Sequence, residues 1–152
     1  MKKLLLGVMF SILTLGVHAS DGKMIAGINC DAGNADRIDD FEKEIDGRIT
    51  NISGSTARVV CPMLNDYYGE KTLNSADIYL HSSSTNSISC TVMVANPVTG
   101  AKGSKTLSTT AGYSGAHVLK FPSIGNGNTY NNYVAYCDLG NDQSVLNILY
   151  VE

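Results

Sequence analysis

YCDLGNDQSVLNILYVE, residues 136–152, closes an apolar run with a cysteine, turns on Leu-Gly-Asn-Asp-Gln-Ser and runs apolar again to Glu152. In the last run Leu146, Ile148 and Tyr150 oppose Val145, Leu149 and Val151. Period-two alternation marks a strand, and apolar residues on both faces mark one that is central or covered. The same pattern extends back through the chain. Ile88, Cys90, Val92 and Val94 share one face against Ser89, Thr91 and Met93, and Val59 and Cys61 alternate with Arg58 and Val60. Turn formers such as NISGST, HSSSTNS, NPVTGAKGS, SIGNGNTYNN and LGNDQS separate the runs. Such spacing predicts an all-β chain, a single antiparallel β-sandwich, immunoglobulin-like or jelly-roll-like, of about seven to nine strands with two disulfides.

Residues 34–47, NADRIDDFEKEIDG, permit two readings. Ile38, Phe41 and Ile45 have helical spacing, with Asn34 or Asp36 as cap and Gly47 as stop. Alternatively Asp46-Gly47 turns a hairpin between FEKEI and RITNI. The strand reading is preferred, because Arg48, Thr50 and Val59 to Met63 continue the alternating style.

The first twenty residues, MKKLLLGVMFSILTLGVHAS, combine a basic start, a 13-residue apolar stretch and small residues before Ser20. This is the pattern of a secretory signal peptide, residues 1–19, leaving 20–152 as one exported domain, periplasmic or extracellular. The apolar stretch is shorter than the roughly 20 residues of a membrane-spanning helix, and no second one follows. Removing Lys2 and Lys3 leaves 9 basic against 14 acidic side chains, a net charge of −5, which disfavours nucleic acid as a partner.

Cys30, Cys61, Cys90 and Cys137 are an even set in an exported chain, which reads as disulfides. No C-x-x-C pair exists to suggest zinc or thiol chemistry. Four cysteines allow three connectivities. Cys90 and Cys137 each lie in a strand on a face shared with apolar residues, and we expect Cys30–Cys61 and Cys90–Cys137, the second bridge crossing the core. The final alternation then lets the last strand close the sheet.

GRITNISGSTARVVCPM (47–63), SISCTVMV (87–94) and residues 136–152 resemble segments of small secreted disulfide-bearing bacterial proteins, a group with no assigned activity. That group often has proline after its Cys-x-Leu, where this chain has Gly140. The resemblance implies a disulfide-bearing β-sandwich and carries no reaction.

Candidate sites are few. Asp36, Asp39 and Asp40 lie in an acidic stretch that could offer oxygen ligands to calcium, but its spacing is not an EF-hand and Arg37, Lys43 and Arg48 interleave it. A solvated face is the simpler reading, and no cofactor is expected. His81 and His117 could serve a hydrolase, yet no Gly-x-Ser-x-Gly accompanies them, and Gly100 to Ser104 lacks phosphate-loop spacing. Asn51-Ile52-Ser53 matches a glycosylation acceptor and equally a turn. Tyr67, Tyr68, Tyr130 and Tyr133 lie in loops where rings could stack on sugars, although tryptophan is absent. The expectation is a non-enzymatic binding or surface-structural module, a monomer, with an unidentified protein or glycan partner at the cell surface. One alternative is a glycan-binding module using the loop tyrosines. Another is a pilin-like subunit whose terminal strand pairs with a neighbour.

Overall fold

The alternating runs are strands in the computed structural model, which describes residues 22–65, 72–112, 114–129 and 131–152. The expected signal peptide lies outside the described residues. In chain order the strands are β1 (Gly22–Ala26), β2 (Asp31–Ala32), β3 (Phe41–Lys43), β4 (Ile49–Asn51), β5 (Ala57–Met63), β6 (Thr72–Leu73) and β7 (Ser75–Ser82). They continue as β8 (Ser89–Ala95), β9 (Lys102–Ser108), β10 (Gly115–Phe121), β11 (Ile124–Gly125), β12 (Asn132–Leu139) and β13 (Gln143–Val151). One sheet runs β10-β7-β13-β4-β3, with β1 also on β13, and the other runs β2-β5-β12-β8-β9. All pairs are antiparallel, and the small β11-β6 pair stands apart.

The two sheets enclose one apolar cluster. Val59, Cys61, Cys90, Val92, Ala135 and Cys137 reach it from the five-stranded sheet, and Ile49, Ile78, Leu80, Val145, Ile148 and Tyr150 from the other. Strict alternation in β5 and β7 puts every second residue into this layer, which is what a sheet buried on one face requires.

β13 is the middle of its sheet. β7 pairs along one edge, while β4 and β1 share the other edge end to end. The last strand therefore spends both edges inside its own chain, and the pilin-like reading, which needs that strand for a neighbour, has no free edge to use. A register shift between Val145 and Asn147 alters which residues face inward. Val145, Ile148 and Tyr150 are buried, so the expected grouping of Leu146 with Ile148 and Tyr150 fails at that bulge. Gly27 follows β1 and lies against the same point. A Cβ on it would sit 2.0 Å from the Val145 carbonyl oxygen, so only glycine allows this approach.

Residues 34–51 divide between the two expected forms. Ala35–Asp40 is a 3-10 helix, capped by Asn34, whose side chain accepts from the Asp36 N–H. Beyond it β3 and β4 form the hairpin, with Phe41 opposite Asn51 and Lys43 opposite Ile49. The turn is wider than a two-residue Asp-Gly turn, closed by Glu44 N–H to Arg48 O and Gly47 N–H to Glu44 O. Ile38 and Ile45, which suggested a helical face, are 66% and 106% exposed, so their spacing reflected no buried stripe.

Both disulfides lie within the five-stranded sheet. Cys90 and Cys137 are direct partners on β8 and β12, with Cα atoms 4.1 Å apart. Cys30 and Cys61 are bonded with Cα atoms 4.2 Å apart, next to the Asp31–Val60 pair of β2 and β5. The Cys90–Cys137 bridge thus runs along one sheet and does not cross the core as expected. The crossing is made by the chain itself, because Gly140 to Asp142 carry it from β12 in one sheet to β13 in the other. Gln143, fully buried, fills that corner: its Oε1 accepts from Gly140 N–H at 2.6 Å and its Nε2 donates to Asn86 O at 2.8 Å.

Gly27→Ala should destabilise the fold by about 3 kcal/mol or more, because carbonyl and Cβ cannot share that space. Gly22→Ala, with nothing within 4 Å of its added carbon, serves as control. Chemical denaturation giving the same midpoint for both variants would show that the Gly27 contact is not as close as described.

Candidate functional site

Side chains alternate across a strand, so the residues beside an inward cysteine face outward. Cys137 faces inward, which turns Tyr136 and Asp138 to the outer surface of the five-stranded sheet; Cys61 does the same for Arg58 and Val60. Arg58 and Asp138 are direct cross-strand partners. The guanidinium donates from Nε to Asp138 Oδ1 at 2.7 Å and from Nη2 to Oδ2 at 2.9 Å. Its Cζ lies 4.7 Å from the Tyr136 ring centroid, a cation–π distance. The Asp138 hydrogen bonds hold the Arg58 pKa above its ordinary value against the opposing effect of burial, and a guanidinium stays charged at any ordinary pH. On the other side of Tyr136, Thr91 and Thr106 hydroxyls meet at 2.7 Å.

Beside this group is a cleft of about 370 Å³, lined by Gly33, Asn34 and Arg37 on one segment and by Thr56, Ala57, Arg58 and Asp138 on others. The Cys30–Cys61 bridge delivers the first segment: one β2 strand later, Gly33 N–H donates to Arg58 O at 2.7 Å. A Cβ on Gly33 would come within 2.9 Å of Arg58 Cγ, so glycine leaves room for the arginine stem. Arg37 is fixed on three sides, by the Asp40 carboxylate, by Thr56 O at 3.1 Å and by Ser55 Oγ at 2.9 Å. The result is a pre-ordered polar cleft in which each guanidinium has its own carboxylate. It suits a hydroxyl-rich ligand, which needs fixed donors and acceptors beside a flat surface.

The residues expected from sequence fall elsewhere. Tyr67, Tyr68 and Tyr130 lie outside the described residues. Tyr133 is 2% exposed in the core, its hydroxyl donating to Thr72 O at 3.2 Å, and cannot present a ring to solvent from there. The segments flanking the tyrosine loops do meet: Asn65 Nδ2 donates to Asn131 O at 2.7 Å, and Asn126 Nδ2 donates to Asn131 Oδ1 at 2.9 Å. Asp36 and Asp39 are exposed and Asp40 pairs with Arg37. Among the described residues no three of His, Cys, Asp and Glu gather as a metal site. His81 and His117 sit in β7 and β10, in the other sheet.

Asn51, of the glycosylation-like triplet, is fully buried. It donates to Ser55 O at 2.7 Å and Leu139 O at 2.6 Å and accepts from Ser53 N–H at 2.9 Å. It is a turn organiser, and in the folded protein no sugar can reach its nitrogen. Asn51→Ala should cost about 2–3 kcal/mol in a denaturation experiment, since it strands buried carbonyls; a change below about 0.5 kcal/mol would contradict the bonding described here.

The β-sandwich fold is similar to that of several solved carbohydrate-binding modules. One such structure is the CBM36-1 domain of a multidomain xylanase from the hindgut metagenome of Trinervitermes trinervoides. It superposes with a TM-score of 0.54 at 10% identity, over 87% of this chain and 97% of that one. A carbohydrate-binding module CBM36 in complex with calcium and xylotriose gives 0.53 at 12% identity, over 86% and 99%. The C-terminal CBM6 of a marine laminarinase from Zobellia galactanivorans gives 0.52 at 10%, over 87% and 100%. No protein-family model matches the sequence, and no curated protein matches it. Among the described residues no helix is long and apolar enough to cross a membrane.

Sequence reading did not single out Arg58, Tyr136 and Asp138. Their signal was present as polar residues at outward positions next to cysteines, but the partners are 80 residues apart and only the sheet register joins them. Because Arg58 is 53% and Asp138 36% exposed in their side chains, the pair should matter little for folding. Arg58→Ala is expected to lower stability by less than about 1 kcal/mol in urea unfolding; a larger loss would make the pair a structural staple.

Proposed function

We propose that this chain is an exported, non-catalytic glycan-binding module that acts as a monomer at or beyond the cell surface, with its ligand seated on Tyr136, Arg58 and the adjoining cleft. The observation that carries this reading is the pre-ordered cleft beside an outward aromatic–guanidinium stack, on a sandwich that matches nearly the whole length of known carbohydrate-binding modules. One of those modules holds xylotriose, which makes β-linked oligosaccharides the first probes. The two disulfides favour an oxidising compartment, in keeping with the signal-like start of the sequence.

The tyrosine loops offer a second seat. The described residues Asn65 and Asn131, next in sequence to these loops, are hydrogen-bonded to each other, which supports testing the loop tyrosines together.

Titration calorimetry with xylo- and gluco-oligosaccharides tests both. Tyr136→Ala should weaken binding at least about tenfold, the equivalent of 1.4 kcal/mol, with the fold intact by circular dichroism. Loss in a Tyr67→Ala, Tyr68→Ala variant with Tyr136→Ala unaffected would move the seat to the loops. Absence of binding across a broad glycan panel would end the glycan reading.

A further inference from the structure

Within that glycan reading, on which its ligand rests, we infer that the cleft binds an uncharged sugar chain without any divalent cation, because clamped arginines stand where a cation site would need open carboxylates. Calcium takes six to eight oxygen ligands and usually several carboxylates. The one carboxylate lining the cleft, Asp138, has both oxygens engaged by Arg58 at 2.7 and 2.9 Å. The next, Asp40, is held by Arg37. To coordinate a metal, either would have to leave its guanidinium, and the ion would then sit beside a positive charge that cannot be titrated away. Along the acidic stretch Lys43 holds Asp31 at 2.7 Å and Arg48 bridges Glu44 at 3.2 Å and Asp46, while Asp36, Asp39 and Glu42 are exposed and, among the described residues, form no cluster of three with other potential ligands. Arg48 in turn keeps the Asp46 carboxyl below its ordinary pKa. The donor set therefore does not fit calcium, although a module of the same fold is complexed with calcium and xylotriose.

The same pairing fixes the charge of the ligand. Arg37 with Asp40 and Arg58 with Asp138 cancel, so the cleft is polar but neutral in sum. A uronate would have to displace Asp138 from Arg58 and approach a chain of net charge −3, or −5 without Lys2 and Lys3. Sugar hydroxyls need no displacement. They can use Asn34, the Thr56 region and the outer edge of the Arg58 fork.

Three measurements on the oxidised protein decide the matter. Melting is first recorded with calcium and with chelator, without sugar; the midpoint should agree within about 1 °C, since an ion that binds only the folded state would raise it. Titration with a neutral xylo-oligosaccharide and with oligogalacturonate follows, each with calcium and with chelator. The neutral sugar should bind with less than a twofold change between the two conditions, and the uronate should bind at least tenfold more weakly. Asp138→Asn then frees Arg58. It should raise uronate affinity several-fold and make it salt-dependent, with melting close to the parent. Loss of neutral-sugar binding in chelator, a calcium-induced rise in melting temperature, or tighter binding of the uronate by the parent would each overturn the inference. If no sugar of either kind binds, the glycan reading itself fails, while the melting comparison still decides the cation question alone.

Discussion

Two disulfides within one sheet set the register on which the site depends. In a strand the side-chain period is two, so a slip of one residue exchanges the inner and outer faces. Cys137 bonded to Cys90 holds β12 and β8 to one alignment, and Cys61 bonded to Cys30 holds β5 and β2. With those four sulfurs fixed inward, Tyr136, Asp138 and Arg58 face outward and Gly33 is carried to the foot of Arg58, while the β5–β12 ladder, which neither bridge joins, sets Arg58 opposite Asp138. The cleft thus rests on inward covalent bonds together with the hydrogen-bonded β5–β12 ladder, and the same bridges restrict the unfolded chain.

The opposite sheet obeys a different constraint. Its central strand β13 is reached through a sharp corner at Gly140 to Asp142, where Asp142 adopts the left-handed conformation with φ of 58°. Its edge is divided between β1 and β4 at the Val145–Asn147 bulge, and Gly27 closes the junction. Bulges add local twist and break pairing, so this sheet changes partners midway along its middle strand. The five-stranded sheet has unbroken registers on both sides of β12.

Alternation made the strands and the fold class legible from sequence, because a half-buried strand writes its burial into every second residue. Tyr133 was legible too, since it shares parity with Ala135 and Cys137 and so must face inward; its place near an asparagine-rich loop drew attention to the wrong property. The bulge in β13 could not be read, as one extra residue changes facing without changing composition. Ile38 and Ile45 misled for a related reason: helical spacing over a few residues also occurs by chance where a 3-10 turn runs into a hairpin. Most of the candidate site was out of reach, because Arg58 and Asp138 become neighbours only after β5 and β12, far apart in sequence, have found their register.

The packed core and the candidate site lie on opposite sides of β5, β8 and β12. The inward set, with Val59, Cys61, Cys90, Val92 and Cys137 fully buried, carries the packing and the covalent links. The outward set is partly solvent-exposed, and pairs such as Arg58 and Asp138 contribute little to folding. A chain can therefore keep the sandwich while exchanging nearly every outward residue, which is how a shared fold persists at 10–12% identity. Ligand chemistry follows the outward residues and not the fold. In this chain those residues are a tyrosine under a guanidinium, and carboxylates already committed to arginine. On the glycan reading proposed above, a neutral sugar face would rest on that surface without breaking an ion pair, whereas a metal ion or an acidic sugar seated there would first have to break one.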